Sequence, residues 1–307
     1  MSAALPFRHF LLALAVVAVW GSNFVVIKWG LAALPPLLFA ALRFAFALLP
    51  AVFFLRRPAV PWRELAAYGV LIGAGQFGLL YLAMRRDISP GLASLVVQTQ
   101  VFFTIGMAMW WSGASMQGRR ERLQPYQLVA LVLAVAGIGV IAAHTDATTT
   151  VLGIVLVLLA ALAWAAGNLV ARRAGHVNML AYVVWASMFS VPPLLALSLV
   201  FEGPAAMLQG LRAADAGTWA AVLWQSAGNT LFGYAAWAWL LARHPAATVS
   251  PMALLVPVFG MAASAWWLGE PLPAWKLGAA ALVMAGLAVN LFWPRWRAAG
   301  RGGKALT

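Results

Sequence analysis

Two stretches of this 307-residue chain repeat each other, and a repeat of this kind constrains the fold before any single residue does. Trp20 and Lys28, in the segment opening Trp20-Gly21-Ser22-Asn23, recur as Trp164 and Arg172. Trp110-Trp111-Ser112-Gly113 recurs as Trp266-Trp267-Leu268-Gly269, and the stretch around Gly137 recurs around Gly286. Each copy holds five apolar stretches of about 20 residues, the length that crosses a bilayer as a helix. The expected crossings are 9–29, 36–55, 65–84, 90–112 and 125–143, then 150–171, 179–200, 217–241, 246–268 and 273–293. An odd number of crossings per copy turns the second copy upside down relative to the first, as in two-sided transport proteins. The expectation is an all-α membrane protein of ten transmembrane helices in two inverted five-helix repeats. Its units would be residues 1–146, residues 147–294 and a basic tail, 295–307.

Composition excludes the soluble alternative. With 64% hydrophobic and 9% charged residues and a mean hydropathy of +0.90, the chain has too few ionisable groups to cover a soluble fold. Cysteine is absent, which removes disulfides, thiolate metal sites and cysteine nucleophiles. The net charge of +13 would suggest nucleic acid in a soluble protein, but no basic stretch here carries interleaved aromatics on a soluble module.

The basic residues instead fit an orientation. With the N-terminus in the cytoplasm, 14 of the 20 basic residues fall inside, among them Arg56, Arg57, Arg63, Arg172 and Arg173. Five of the seven acids, Asp87, Asp146, Glu202, Asp215 and Glu270, fall outside. Both termini are then cytoplasmic, in a multi-pass membrane protein. The first apolar stretch is too long for the core of a signal peptide and has an equivalent in mid-chain, so it is expected to remain in the mature protein. The tail from Arg295 reads as a disordered anchor on anionic lipid. Pro35-Pro36, Pro61, Pro125 and Pro245 mark breaks, and Ser89-Pro90 resembles an N-cap followed by a first-turn proline.

Polar residues within the crossings point to a binding cavity, because they are costly in hydrocarbon unless they face water or a partner helix. Trp20 with Asn23, and Trp164 with Asn168, share helix faces at matching places in the two copies. They would meet near the midplane as an aromatic wall with one amide from each half; helix–helix glue is the structural alternative. Gln98 and Gln100 have Leu254 and Val256 at the matching positions, so their polarity is special to the first half. Two residues apart on an α-helix is about 200°, so one or other, not both, is expected in the cavity. Gln76, Tyr81, Asn229 and Trp237 complete the expected substrate contacts, with packing or interfacial belting as their alternative. Lys28 and Arg43 are the bases drawn into the crossings; together they would attract a carboxylate, or else cap helix carbonyls or snorkel to the interface.

No Asp or Glu lies in mid-crossing, which argues against a carboxylate proton relay or a sodium cage. His9, His144, His176 and His244 lie at crossing ends or in loops, without metal-ligand spacing. There is no nucleophile elbow and no phosphate-cradling glycine loop. The chain reads as a non-enzyme without cofactor or metal, its partners a small-molecule substrate and the lipid bilayer. The oligomeric state is left open, a monomer included.

Certain segments resemble a known family. Val19-Trp20-Gly21-Ser22-Asn23-Phe24-Val25-Val26-Ile27-Lys28, Leu42-Arg43-Phe44, Gly91-Leu92-Ala93-Ser94-Leu95-Val96, Leu254-Leu255-Val256-Pro257-Val258 and Gly269-Glu270-Pro271-Leu272 are similar to the EamA branch of the drug/metabolite transporter superfamily. The resemblance covers about residues 8 to 294 and is nearest to bacterial exporters of amino acids and their metabolites, of the O-acetylserine/cysteine and aromatic amino-acid type. It implies the ten-helix inverted architecture, a central cavity lined by both halves, and efflux. The segment from Ser112 to Arg122 departs from the family pattern, with Glu121 displaced from the usual Gly-Glu turn. Multidrug and nucleotide-sugar or sugar-phosphate carriers share the superfamily, so the fold leaves the cargo open.

Overall fold

The computed structural model describes residues 5–112, 124–175 and 177–302. All the regular structure in them is helical. Successive helical segments join end to end into longer runs: α1 (Phe7–Gly30), α2 (Pro36–Leu48), α3 (Trp62–Arg86), α4 (90–112), α5 (Pro125–Ala142), α6 (Val151–Arg173), α7 (Met179–Phe201), α8 (216–243), α9 (246–268) and α10 (Ala274–Gly302). Among the described residues, nine stretches are long and apolar enough to cross a membrane. The run α8 is not one of them, although it is helical throughout. Its centre, Trp224–Phe232, carries Gln225, Ser226, Asn229 and Thr230, and these dilute its hydropathy.

Helix starts follow local chemistry. Pro36 and Pro125 occupy first-turn positions, where a missing N–H is harmless. Thr150, Asn178 and Asp215 accept N–H bonds from Gly153, Ala181 and Thr218 as N-caps of α6, α7 and α8. Ser89 stands before Pro90 as expected, but its side chain caps nothing in its own helix. The cap comes from across the molecule: Glu270 accepts from the Gly91 N–H at 3.0 Å and from the Ser89 hydroxyl. Glu202 caps α2 in the same way, accepting from the N–H groups of Leu37 (2.7 Å) and Leu38 (3.1 Å). A buried carboxylate on a helix N-terminus is favoured by the helix dipole and outdoes the short serine.

Two departures from the expected layout concern connections. The link between α7 and α8 contains a short helix, Gly203–Ala213. The backbone of the basic tail continues α10 to Gly302 rather than leaving it at residue 293. Residues 303–307, the segment 113–123 with Glu121 and Gly113, and His176 lie outside the described residues.

The two copies of the repeated glycine helix, α5 and α10, pack along each other. A Cβ at Gly137 would stand 2.7 Å from Val283 Cγ2 and 2.9 Å from the Ala279 carbonyl; one at Gly286 would stand 2.5 Å from the Ala130 carbonyl. In lipid, where no hydrophobic force drives helices together, such close backbone approach supplies the packing energy. Elsewhere α1 packs on α9 and α2 on α7, pairs that join the first half of the sequence to the second.

Candidate functional site

Both runs at the third place in each half, α3 and α8, change register in the middle. Leu71–Gly78 in α3 and Trp224–Phe232 in α8 are π-helical. A π segment slips hydrogen bonds to the fifth residue back and frees backbone acceptors, and such slips concentrate at functional sites. In α8 the Gly233 N–H reaches the Gly228 carbonyl instead of its α partner, Asn229. The Trp20 indole N–H donates to that Asn229 carbonyl at 3.1 Å. Gly233 makes this possible, since any Cβ there would collide with the indole of Trp20. One aromatic side chain of α1 is thereby pinned to the distorted part of α8.

Beside this joint lies a cavity of about 310 Å³, within the range of small-molecule sites. Trp20, Asn23 and Phe24 of α1, Tyr68, Gln76 and Phe77 of α3, and Gln98 and Gln100 of α4 form its first-half wall. Trp164 and Asn168 of α6, Met179 of α7, Asn229, Tyr234 and Trp237 of α8, and Ala253 and Val256 of α9 form the other. Trp20 and Trp237 pack at 5.2 Å between ring centroids, and Trp20 and Tyr234 at 6.0 Å. The two halves also join through amides: Asn168 Nδ2 donates to Gln100 Oε1 at 3.1 Å, and the Thr104 hydroxyl donates to the Gln100 backbone carbonyl at 2.7 Å. Asn23 and Gln76 are 3% and 5% exposed, and the buried Oδ1 and Oε1 of their amides have no hydrogen-bond partner among the described residues. The wall contains aromatic rings, carboxamides and aliphatic groups, with no Asp, Glu, Lys, Arg or His.

Nine of the ten residues expected to contact substrate line this cavity, and both glutamines are among them. That overturns the expectation of only one. Residues Val97–Thr99 form a 3-10 turn, where the step is about 120° rather than 100° per residue. Two steps then leave the side chains about 120° apart instead of about 160°, and long glutamines reach one space. Tyr81 is the exception. It is fully buried, its hydroxyl donating to Gln225 Oε1 at 2.9 Å and facing Arg43 at 3.2 Å.

The two expected carboxylate attractors also stand off the cavity wall. Lys28 Nζ donates to the carbonyls of Met84 and Arg85, both at 3.0 Å, at the end of α3. It neutralises the negative end of that helix, the capping alternative foreseen for it. Arg43 is 1% exposed among Tyr81, Gln225, Thr230 and Phe77. Tyr68 and Met179 are cavity residues that sequence reading missed. Tyr68 stands in the half of α3 nearer Trp62, with no polar neighbour in sequence to draw notice, and Met179 starts α7. Among the described histidines, His9 Nδ1 and His244 Nε2 meet at 2.7 Å, joining the ends of α1 and α8 away from the cavity. Among the described residues no group of three or more His, Cys, Asp or Glu could hold a metal.

At the other end of the bundle, Glu270 gathers four donors. Ser89, the Gly91 N–H, Ser264 and Lys276 all reach its carboxylate, Lys276 as an ion pair at 2.9 Å. Burial pushes the Glu270 carboxyl up, yet the hydrogen bonds from Ser264, Ser89, Lys276 and Gly91 together hold it below the ordinary carboxylate value.

Comparison with known proteins agrees on one family. The profile of the EamA-like transporter family matches residues 8–143 and again 151–292. A protein of Salmonella typhimurium named "Probable amino-acid metabolite efflux pump" is 41% identical over 296 residues, covering 94% of this chain and 97% of its own length. Its namesake in Escherichia coli K12 is 38% identical, with 94% and 96% covered. A solved crystal structure aligns with a TM-score of 0.59 over 94% of this chain and 98% of its own, at 18% identity, a likeness of fold alone.

Proposed function

The chain belongs to the EamA-like transporter family, and we propose that it exports amino acids or related small metabolites across the bacterial inner membrane. The relatives named as amino-acid metabolite efflux pumps support the substrate class and the direction. In this reading the chain crosses the membrane ten times, α8 supplying the crossing that composition alone does not declare. Residues 1–146 and 147–294 act as inverted halves, and both termini face the cytoplasm. The basic tail, 295–307, is on the cytoplasmic side.

The observation that carries the mechanism is the cavity walled by both halves. The indoles of Trp20, Trp164 and Trp237 would hold the apolar part of the substrate. Asn23, Gln76, Gln98, Gln100, Asn168 and Asn229 would hydrogen-bond its polar groups. Ala171 and Met179 place part of the wall near the end of α6 and the start of α7, the cytoplasmic side in this orientation. The Glu270 and Glu202 caps tie first-half helices to second-half segments on the opposite side. The state is therefore read as closed outward, and export by alternating access requires those ties to part while the cytoplasmic side closes. Tyr81 supports the site through Arg43 and Gln225 rather than by contact. No chemistry on a substrate is assigned, and no cofactor.

The test is export itself. Cells overproducing the protein should survive toxic amino-acid analogues and release the corresponding amino acids faster than empty-vector cells. Protection against cationic dyes alone, with amino-acid release unchanged, would move the reading to multidrug efflux.

A further inference from the structure

The cavity wall is uncharged, but a cation stands directly behind it. Arg43 is 1% exposed in the middle of the bundle, and its guanidinium lies 3.6 Å from the centroid of Phe77, a ring that lines the cavity. Its partners are neutral: Nη1 donates to the Tyr81 hydroxyl (3.2 Å) and Gln225 Oε1 (3.1 Å), and Nη2 to Thr230 Oγ1 (3.2 Å). Nε has no partner. Among the described residues no carboxylate pairs with Arg43; the ion pair present is Lys276–Glu270. A guanidinium stays charged at every accessible pH, and a buried charge without a counter-ion is costly wherever it sits. Inside a membrane bundle, such a group is a functional candidate whose partner must be named.

We propose that Arg43 is the charge-selecting residue of the transport cavity: acting through Phe77, it makes the uncharged cavity electropositive, so that solutes carrying a carboxylate are admitted and net cations rejected. This rests on the export reading and deepens it, because it names the group that the substrate must carry. The carboxylate lies on the cavity side of Phe77 and supplies the counter-charge that is missing among the described residues. Crossing the ring doubles the 3.6 Å separation to about 7 Å. At an effective dielectric of about 20, unit charges at that distance shift a binding equilibrium on the order of 30- to 60-fold. The hydrogen bonds that Arg43 donates to Tyr81, Gln225 and Thr230 hold the guanidinium against the ring, and the ring keeps the ion pair from closing so tightly that release would fail.

The experiment compares matched ligands on the purified full-length protein. Each neutral-side-chain amino acid is titrated as the free acid and as its α-carboxamide, which keeps the side chain and ammonium but lacks the anion. Wild type should favour the acids by tens of fold; Arg43→Gln should bring acid and amide within about threefold, mainly by weakening the acid. Arg43→Lys keeps the charge while changing the hydrogen bonds, so it should retain most of the preference, and it carries the test if Arg43→Gln does not fold. Equal binding of acid and amide by wild type overturns the proposal, as does a preference unchanged in Arg43→Gln or abolished in a folded Arg43→Lys. Failure of every acid and amide to bind would instead count against the amino-acid export reading.

Discussion

Replacing Glu270 by glutamine probes the tie between the start of α4 and the link from α9 to α10. The change keeps the shape but removes the anion from Lys276, which is 6% exposed and whose salt bridge, among the described residues, is to Glu270. Removing one partner of a buried pair costs about 3–5 kcal/mol, because the remaining charge stays desolvated. The new amide N–H₂ also faces the donors Ser89, Ser264 and Gly91 with one acceptor fewer. A loss near 3 kcal/mol lowers the unfolding midpoint by about 6–12 °C on the scale of mid-sized domains. The 16 tryptophans allow this to be read by intrinsic fluorescence in detergent. The control is Glu270→Gln with Lys276→Met, which removes the stranded charge and should recover part of the loss. The pH dependence has a fixed sign: with the folded carboxyl held below its ordinary value of 4.5, the Glu270 contribution is complete above that pH and is lost as pH falls through the lower folded value. A single variant as stable as wild type, or a double variant less stable than the single, would refute the role of the ion pair.

Other expectations follow from the site. Gly233→Ala should displace the Trp20 indole and break its bond to the Asn229 carbonyl, lowering export severalfold at unchanged protein levels; wild-type export would show that the joint is dispensable. Trp20→Ala or Gln98→Ala should reduce substrate affinity, and unchanged efflux from vesicles would remove those residues from the binding wall. Asn168→Ala and Gln100→Ala should be less than additive in binding assays, since each removes the same 3.1 Å bond; strict additivity would mean the bond is not formed in the binding state. Gly137→Leu should separate α5 from α10 and reduce thermal stability by about 1–3 kcal/mol as an overpacked contact, measurable as an earlier melt.

Much of the helical layout was legible because lipid enforces it. Proline breaks and apolar lengths locate α1, α3, α6 and α7 to within a few residues, and the repeated tryptophans and amides mark the cavity. What escaped was whatever depends on register or on distant partners. The π segments in α3 and α8 leave no trace in an apolar pattern, since slipping to the fifth residue back changes backbone bonds and not composition. The 3-10 turn at Val97–Thr99 brought Gln98 and Gln100 to one space for the same reason. Arg43 could be seen as a deep base, but its partners Gln225 and Thr230 come from 182 and 187 residues away, and no local signal announces them. Ser89 looked like a cap because its own sequence allows it; the buried carboxylate of Glu270, 181 residues on, was a stronger claimant.

The absence of cysteine makes single-thiol accessibility the most direct test of the transport cavity. A cysteine at Asn168, on the cavity wall contributed by the second half, would be challenged with a membrane-impermeant thiol reagent in inside-out vesicles, with and without amino acid. Labelling from the cytoplasmic side that slows as amino acid is added is the predicted result. Labelling at the same rate with and without amino acid, in a variant that still exports, would mean that substrate passes elsewhere.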